Sequence, residues 1–257
     1  MDILSAVAIF LFTALFIVGL LMASMELGRR VRLRSREERS SGLSVIDGAV
    51  FGLMGLILGF SFSGGISRFE ARRELIVQET NAIGTAWLRV DLLPEAAQPQ
   101  IRDDYRAYLD ARLAFYTNLI PDRVKALEEL ALSENLKKKI WTESVAAAKT
   151  ASPAALGLVV GSLNEMIDIT TTRLVALQTH PPVPIYVTLL LLALASSVIA
   201  GFGMGDTGKR QWLHTVVYAA ALTLTVYTII DLEFPRAGII RVDRYDQALV
   251  DLRNSMN

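Results

Sequence analysis

The sequence predicts an all-α membrane protein, with four transmembrane helices and a helical, water-exposed insert between the second and third. Three observations carry this. First, 52% of the 257 residues are hydrophobic and 20% charged, with a mean hydropathy of +0.39. That balance is too apolar for an ordinary soluble domain and too charged for a bare membrane bundle. Second, the apolar surplus sits in four uncharged stretches, residues 3–23, 48–66, 184–204 and 212–230. Each has the roughly 20 helical residues that cross a hydrocarbon core about 30 Å thick. Third, no segment alternates polar and apolar residues as a strand does.

The first span follows Met1-Asp2, which carries no positive charge, and no small-residue cleavage site precedes the arginines after it. It reads as a retained helix rather than a signal peptide. An Arg-rich loop over residues 26–44 follows, with Arg29, Arg30, Arg32, Arg34, Arg36 and Arg39. The second span carries Gly48, Gly52, Gly55 and Gly59 at offsets of four, three and four, so all lie on one helix face, which Ser63 extends. Small residues on one face let helix backbones approach closely in lipid. That face packs against a neighbouring subunit, lines a narrow path, or packs inside a four-helix bundle.

The insert, residues 67–183, holds 14 Lys and Arg against 15 Asp and Glu. Phe69, Ile76, Ile83 and Val90 recur every seven residues, which predicts a packing seam beyond the membrane. Gln78-Glu79-Thr80-Asn81 makes one turn polar all round, either a solvated turn or the lining of a vestibule. Pro94 and Pro99 end this helix, with Ala97 expected to be exposed between them. Ile101, Tyr105, Tyr108 and Leu113 give the next helix its apolar face. Pro121 opens a further helix, which Ser133 interrupts, with Leu127, Leu130 and Ile140 facing inward. Ser152-Pro153 reads as an N-cap followed by proline at the first helical position. Asn164, Glu165 and Asp168 share a face of that helix, most simply a solvated one. Residues 180–184, His-Pro-Pro-Val-Pro, stop the chain before the third span. The division is residues 1–66 for the first two spans, 67–183 for the insert, 184–232 for the last two spans and 233–257 for a C-terminal tail.

Composition also excludes functions. Lys plus Arg and Asp plus Glu both number 26, so no global positive field recruits nucleic acid. Without cysteine there is no disulfide or thiolate chemistry. Only His180 and His214 remain as imidazoles, and no phosphate loop, nucleophile elbow or metal-ligand helix motif occurs. No enzyme, metal or cofactor is expected. The spans lack the ionisable residues that proton-coupled carriers place in the membrane.

Five segments, taken in order, resemble a bestrophin-like family of bacterial integral membrane proteins. They are residues 51–64 (FGLMGLILGFSFSG), 68–73 (RFEARR), 79–89 (ETNAIGTAWLR), 163–168 (LNEMID) and 231–238 (DLEFPRAG). True bestrophins are pentameric anion channels whose second transmembrane helix lines the pore with a phenylalanine-bearing neck. The resemblance therefore implies a homo-oligomer, with a pentamer as its model, in a bacterial inner (plasma) membrane. Its conduit for inorganic ions would be lined by the second span, with Phe51, Phe60 and Phe62 as the aromatic candidates. The alternative is a non-conducting scaffold or sensor whose insert binds a partner.

Two expectations concern the boundaries. The second and fourth spans emerge on the same side, so Arg68 and Arg72 lie near Asp231 and Glu233, and Asp231 is expected to pair with Arg68 or Arg72. The Arg run and Lys209-Arg210 mark the short loops as cytoplasmic and the insert as outside. The Arg run also fits an anionic-lipid patch. A cysteine placed at Ala97 should therefore react with a membrane-impermeant thiol reagent in intact cells, and one at Ser35 should not. The opposite labelling pattern reverses the orientation.

Overall fold

The computed structural model describes residues 3–35, 41–205 and 211–256, and among these there is no strand. The helices are α1 (Ile3–Arg34), α2 (Ser41–Leu88), α3 (Gln98–Asn118), α4 (Arg123–Ala148), α5 (Pro153–Gln178), α6 (Val183–Met204), α7 (Trp212–Glu233) and α8 (Gln247–Ser255). Four helical stretches are long and apolar enough to cross a membrane, in α1, in α2, ending at Met204 in α6, and in α7. The chain forms two compact units. The membrane unit contains the residues up to Phe69 and His180–Ile240; the second contains Glu70–Thr179 and the segment from Arg241 on.

In the membrane unit, α1 lies directly on α6. A Cβ on Gly28 would overlap the Val198 carbonyl oxygen, and one on Gly201 would overlap that of Met25. These are backbone-to-backbone contacts, which only glycine permits. In lipid, where no hydrophobic force separates helix from solvent, such closeness is what dispersion and packing require. Leu21, Ala193, Ala219 and Leu222 form the small core that brings in α7. The Tyr218 hydroxyl donates to Ser196 Oγ at 2.9 Å, which satisfies one polar group inside this apolar unit.

In the second unit, α3 and α4 form a helical hairpin. Asp122 caps α4 by accepting from the Lys125 amide at 3.0 Å. Ser152 caps α5 by accepting from the Ala155 amide at 3.1 Å, with Pro153 at the first helical position. The sequence seam is buried at Ile76, Ile83 and Val90. Ile83, Trp87, Tyr105, Tyr108, Leu109, Phe115, Ile140, Leu163, Met166 and Leu249 belong to one core. The Trp87 and Tyr105 rings meet edge to face with centroids 6.1 Å apart, a favoured aromatic geometry.

Several expectations are corrected. The Arg-rich loop is helical as far as Arg34, because α1 outlasts its apolar stretch. Residues 36–40, including Arg36 and Arg39, lie outside the described residues, as do Lys209 and Arg210. Ser133 does not interrupt α4: it is buried, and its hydroxyl donates to the Leu130 carbonyl at 2.8 Å. That bond occupies the hydroxyl locally and leaves the helix intact. Leu127 points outward, 56% exposed. Ala97 is half-buried against the core, whereas Ala96 is exposed and better suits thiol labelling. The tail is structured: α7 runs to Glu233, and after a turn and a 3-10 segment at Asp243–Asp246, α8 packs into the second unit with Leu249 and Met256 fully buried.

Because α1 and α6 touch through backbone, Gly201→Ala forces the helices apart. Overpacking of this kind costs about 1–3 kcal/mol. The melting temperature in detergent should fall for Gly201→Ala and for Gly28→Ala, but not for Gly19→Ala, where a Cβ meets nothing within 4 Å.

Candidate pore helix and its charged anchors

The glycine face of α2 is uncovered. A Cβ on Gly48, Gly52, Gly55 or Gly59 would meet nothing within 4 Å. No residue from Ser44 to Gly64 is buried, and Ser63 is exposed. Contact with the rest of the membrane unit comes from the opposite side. There Met54 and Leu58 pack on the small core, and the Phe51 ring stands edge-on to Tyr218 at 6.4 Å. The three aromatic candidates therefore divide. Phe51 is turned inward, Phe60 is 70% exposed and Phe62 39% exposed.

The boundary charges pair differently from the sequence expectation. Arg68 Nε donates to both carboxylate oxygens of Glu233, at 2.8 and 3.0 Å. Glu233 is fully buried. The Arg72 guanidinium instead donates to the Ala176 and Thr179 carbonyls at 3.2 and 2.7 Å. These carbonyls close the C-terminal end of α5, where a cation is favoured. Asp231 engages main chain. Its carboxylate accepts from the Ile239 amide at 3.0 Å and the Ile240 amide at 2.7 Å. It can reach them because residue 238 is glycine, where an added Cβ would overlap Asp231 Oδ1. The shorter carboxylate fixes the turn and the longer one reaches the arginine. His180 stacks on Phe234 at 4.6 Å, with Nδ1 3.9 Å from Glu233.

The second unit holds a buried charge cluster. Glu79 and Arg112 are both fully buried. Arg112 Nε donates to Glu79 at 2.8 Å, and Arg173 Nη1 also pairs with Glu79. Arg173 Nη2 reaches Asp246 at 2.7 Å, and the guanidinium lies 3.7 Å over the Tyr116 ring. Burial alone would raise the Glu79 carboxyl, but the two guanidiniums outweigh it and hold the group below its ordinary value. Burial pushes the Tyr108 hydroxyl up to about 12; it shares a hydrogen bond of 3.1 Å with Thr170.

Comparison with known proteins fixes the family. The Bestrophin-like domain model matches residues 7–246. The chain belongs to the Bestrophin-like family. Its fold is shared with solved structures of a bacterial Bestrophin homolog from Klebsiella pneumoniae. One, 16% identical, has a TM-score of 0.68, with 96% of this chain and 98% of that one covered. A second, 16% identical, has a TM-score of 0.67 and covers 95% and 98%. A third, 17% identical, has a TM-score of 0.65 and covers 93% and 98%. No curated protein matched.

Two motifs of this Bestrophin-like chain that looked unrelated meet in its second unit. Gln78, Asn81, Ala82 and Thr85 of α2 face Glu165, Asp168, Ile169 and Thr172 of α5 across a groove of about 510 Å³. Glu79, from the same polar turn, points the other way into the core. Sequence reasoning missed its burial and that of Arg112 and Arg173. One signal was available: Glu79 stands three residues after Ile76 and four before Ile83, on the seam itself.

Removing one member of the cluster leaves buried charge without its partner, which typically costs about 3–5 kcal/mol. Glu79→Gln should lower stability by that order in denaturant titration. The pH dependence has a definite sign. With its folded value below the ordinary 4.5, Glu79 contributes fully above 4.5 and loses its contribution as pH falls through the folded value. Acid melts of the wild type should fall in that window, and those of Glu79→Gln should be flatter there.

Proposed function

We propose that the chain assembles with copies of itself into a membrane pore for inorganic ions, with α2 lining the conduit. One observation carries this reading: the glycine face of α2 is uncovered and Phe60 exposed, although α1 and α6 use glycine for direct backbone contact. A single four-helix unit has little room for a conduit, whereas a ring of copies places one α2 from each around an axis. Membership of the Bestrophin-like family supports the same assembly, and a pentamer is its natural model. Spans without ionisable side chains over residues 48–66 suit a passive conduit rather than a proton-relay carrier. Ser63 and the exposed Phe60 give the lining a small polar position beside a bulky apolar one. The polar groove of the second unit offers the kind of surface an aqueous vestibule requires.

Purified protein in a planar bilayer should give resolvable unitary currents, and Phe60→Ala should change their amplitude. A preparation that is intact and oligomeric yet silent refutes the pore. Assembly is tested separately. Gly55→Leu should weaken the oligomer in detergent, while Leu53→Ile should leave it intact. An unchanged oligomer with Gly55→Leu means that this face makes no close contact with a neighbouring copy.

A further inference from the structure

A second cavity lies in the membrane unit, at the end where the short loops are. It encloses about 210 Å³ and is lined by Met22, Ala23, Met25, Met204, Trp212 and Thr215, with Glu26, Arg29 and Gln211 at its polar margin. The ends of three spans meet here: the point where α1 turns from apolar to charged, the last residue of α6 and the first of α7. We propose that this cleft binds an anionic phospholipid, with its upper chain among the methionines and its phosphate at the arginines.

Size argues for part of an amphiphile. A pocket that encloses a whole drug-sized ligand runs to about 300–1,000 Å³, and this one is smaller. It suits the glycerol and first methylenes of a molecule whose remainder lies in the bilayer. The lining argues for a flexible chain. Three thioether side chains adapt to irregular apolar shapes, and Trp212, 55% exposed, is the residue type that settles at a membrane interface.

Charge argues for an anionic headgroup. Glu26 is the one carboxylate at the rim among the lining residues, and two guanidiniums share it. Arg29, itself in the lining, donates to it at 2.9 and 2.8 Å, and Arg30, outside the lining but joined to it through Glu26, at 2.9 Å. Among the described residues here, one negative charge stands against these two positive ones, and exposed Arg34 lies one turn beyond Arg30. Arg30 has 64% of its side chain exposed, so it can turn from Glu26 to a phosphate oxygen without unpacking anything. A guanidinium is matched to that recognition, since it offers several donors in one plane.

The test uses the full chain in nonionic detergent. Melting temperature is titrated with phosphatidylglycerol, with phosphatidylcholine of identical chains, and with inorganic phosphate. Phosphatidylglycerol should stabilise at lower concentration than phosphatidylcholine, and phosphate alone should do nothing. Arg30→Gln should weaken phosphatidylglycerol binding about fivefold, the usual contribution of one basic residue near an anionic surface. Ala23→Leu narrows the cleft and leaves the charges alone, so it should weaken binding of both lipids. Arg30 is exposed and tolerates substitution, which keeps the test independent of how Ala23→Leu folds. Equal effects of the two lipids overturn the proposal. So does stabilisation by phosphate alone, or wild-type affinity in both variants.

Discussion

Helices in hydrocarbon gain nothing by leaving it, so the strength of a contact depends on how closely the backbones can approach. In the membrane unit that constraint is met at Gly28 and Gly201, where the α1 and α6 main chains touch. The rest of the unit follows from this pair. With α1 fixed on α6, the residues left to pack are small ones, Ala193 and Ala219, together with Leu21 and Leu222. Ser196 sits deep enough to need the Tyr218 hydroxyl. Asp231 and Glu233, at the end of α7, are each satisfied locally, by backbone amides and by Arg68. Held in place at the boundary, these two carboxylates do not compete with the packing above them.

The second unit obeys the opposite rule, because it faces water. Its core of Trp, Tyr, Ile and Leu is held by the hydrophobic effect, and the buried charges within it have a different role. Replacing such a cluster by apolar residues is often neutral for stability, whereas breaking it is costly. What the cluster supplies is connection. Glu79 of α2, Arg112 of α3 and Arg173 of α5 meet at one point, and Arg173 passes the link on to Asp246 in the C-terminal segment. Arg106 and Arg253 add a second attachment for that segment, through the Met256 carbonyl at 2.6 Å and Asp110 at 2.7 Å. The segment folds back with Leu249 and Met256 buried in the core and charged groups on α3 and α5 fixing its position.

The spans were legible because some twenty uncharged apolar residues in a row suit lipid far better than a soluble core. The cap at Ser152 and the seam at Ile76, Ile83 and Val90 were legible because they are local or periodic. The pairing of Gly28 with Gly201 was not, since the two lie far apart along the chain and nothing in either neighbourhood names the other. The charge pairing failed for a related reason. Arg68 does meet an acid of α7, but which of Asp231 and Glu233 it meets depends on the turn after that helix. That turn depends in turn on one glycine, Gly238, admitting the Asp231 carboxylate. Glu79 was misread because a run of four polar residues looks solvated on all sides, although helical geometry must turn one of them inward.

The glycine face of α2 is the feature for which packing within a single chain gives no reason. A glycine inside a helix costs about 1 kcal/mol relative to alanine, and four occur here within twelve residues. Lipid tails offer no compensation, because an alanine or leucine face would suit them equally well. The same chain shows what glycine achieves when a neighbour is present, at Gly28 and Gly201. The uncovered row therefore makes physical sense if another backbone comes against it or if a narrow passage runs along it. A ring of identical chains supplies both, since each α2 then has a neighbour on its flank and an axis before it.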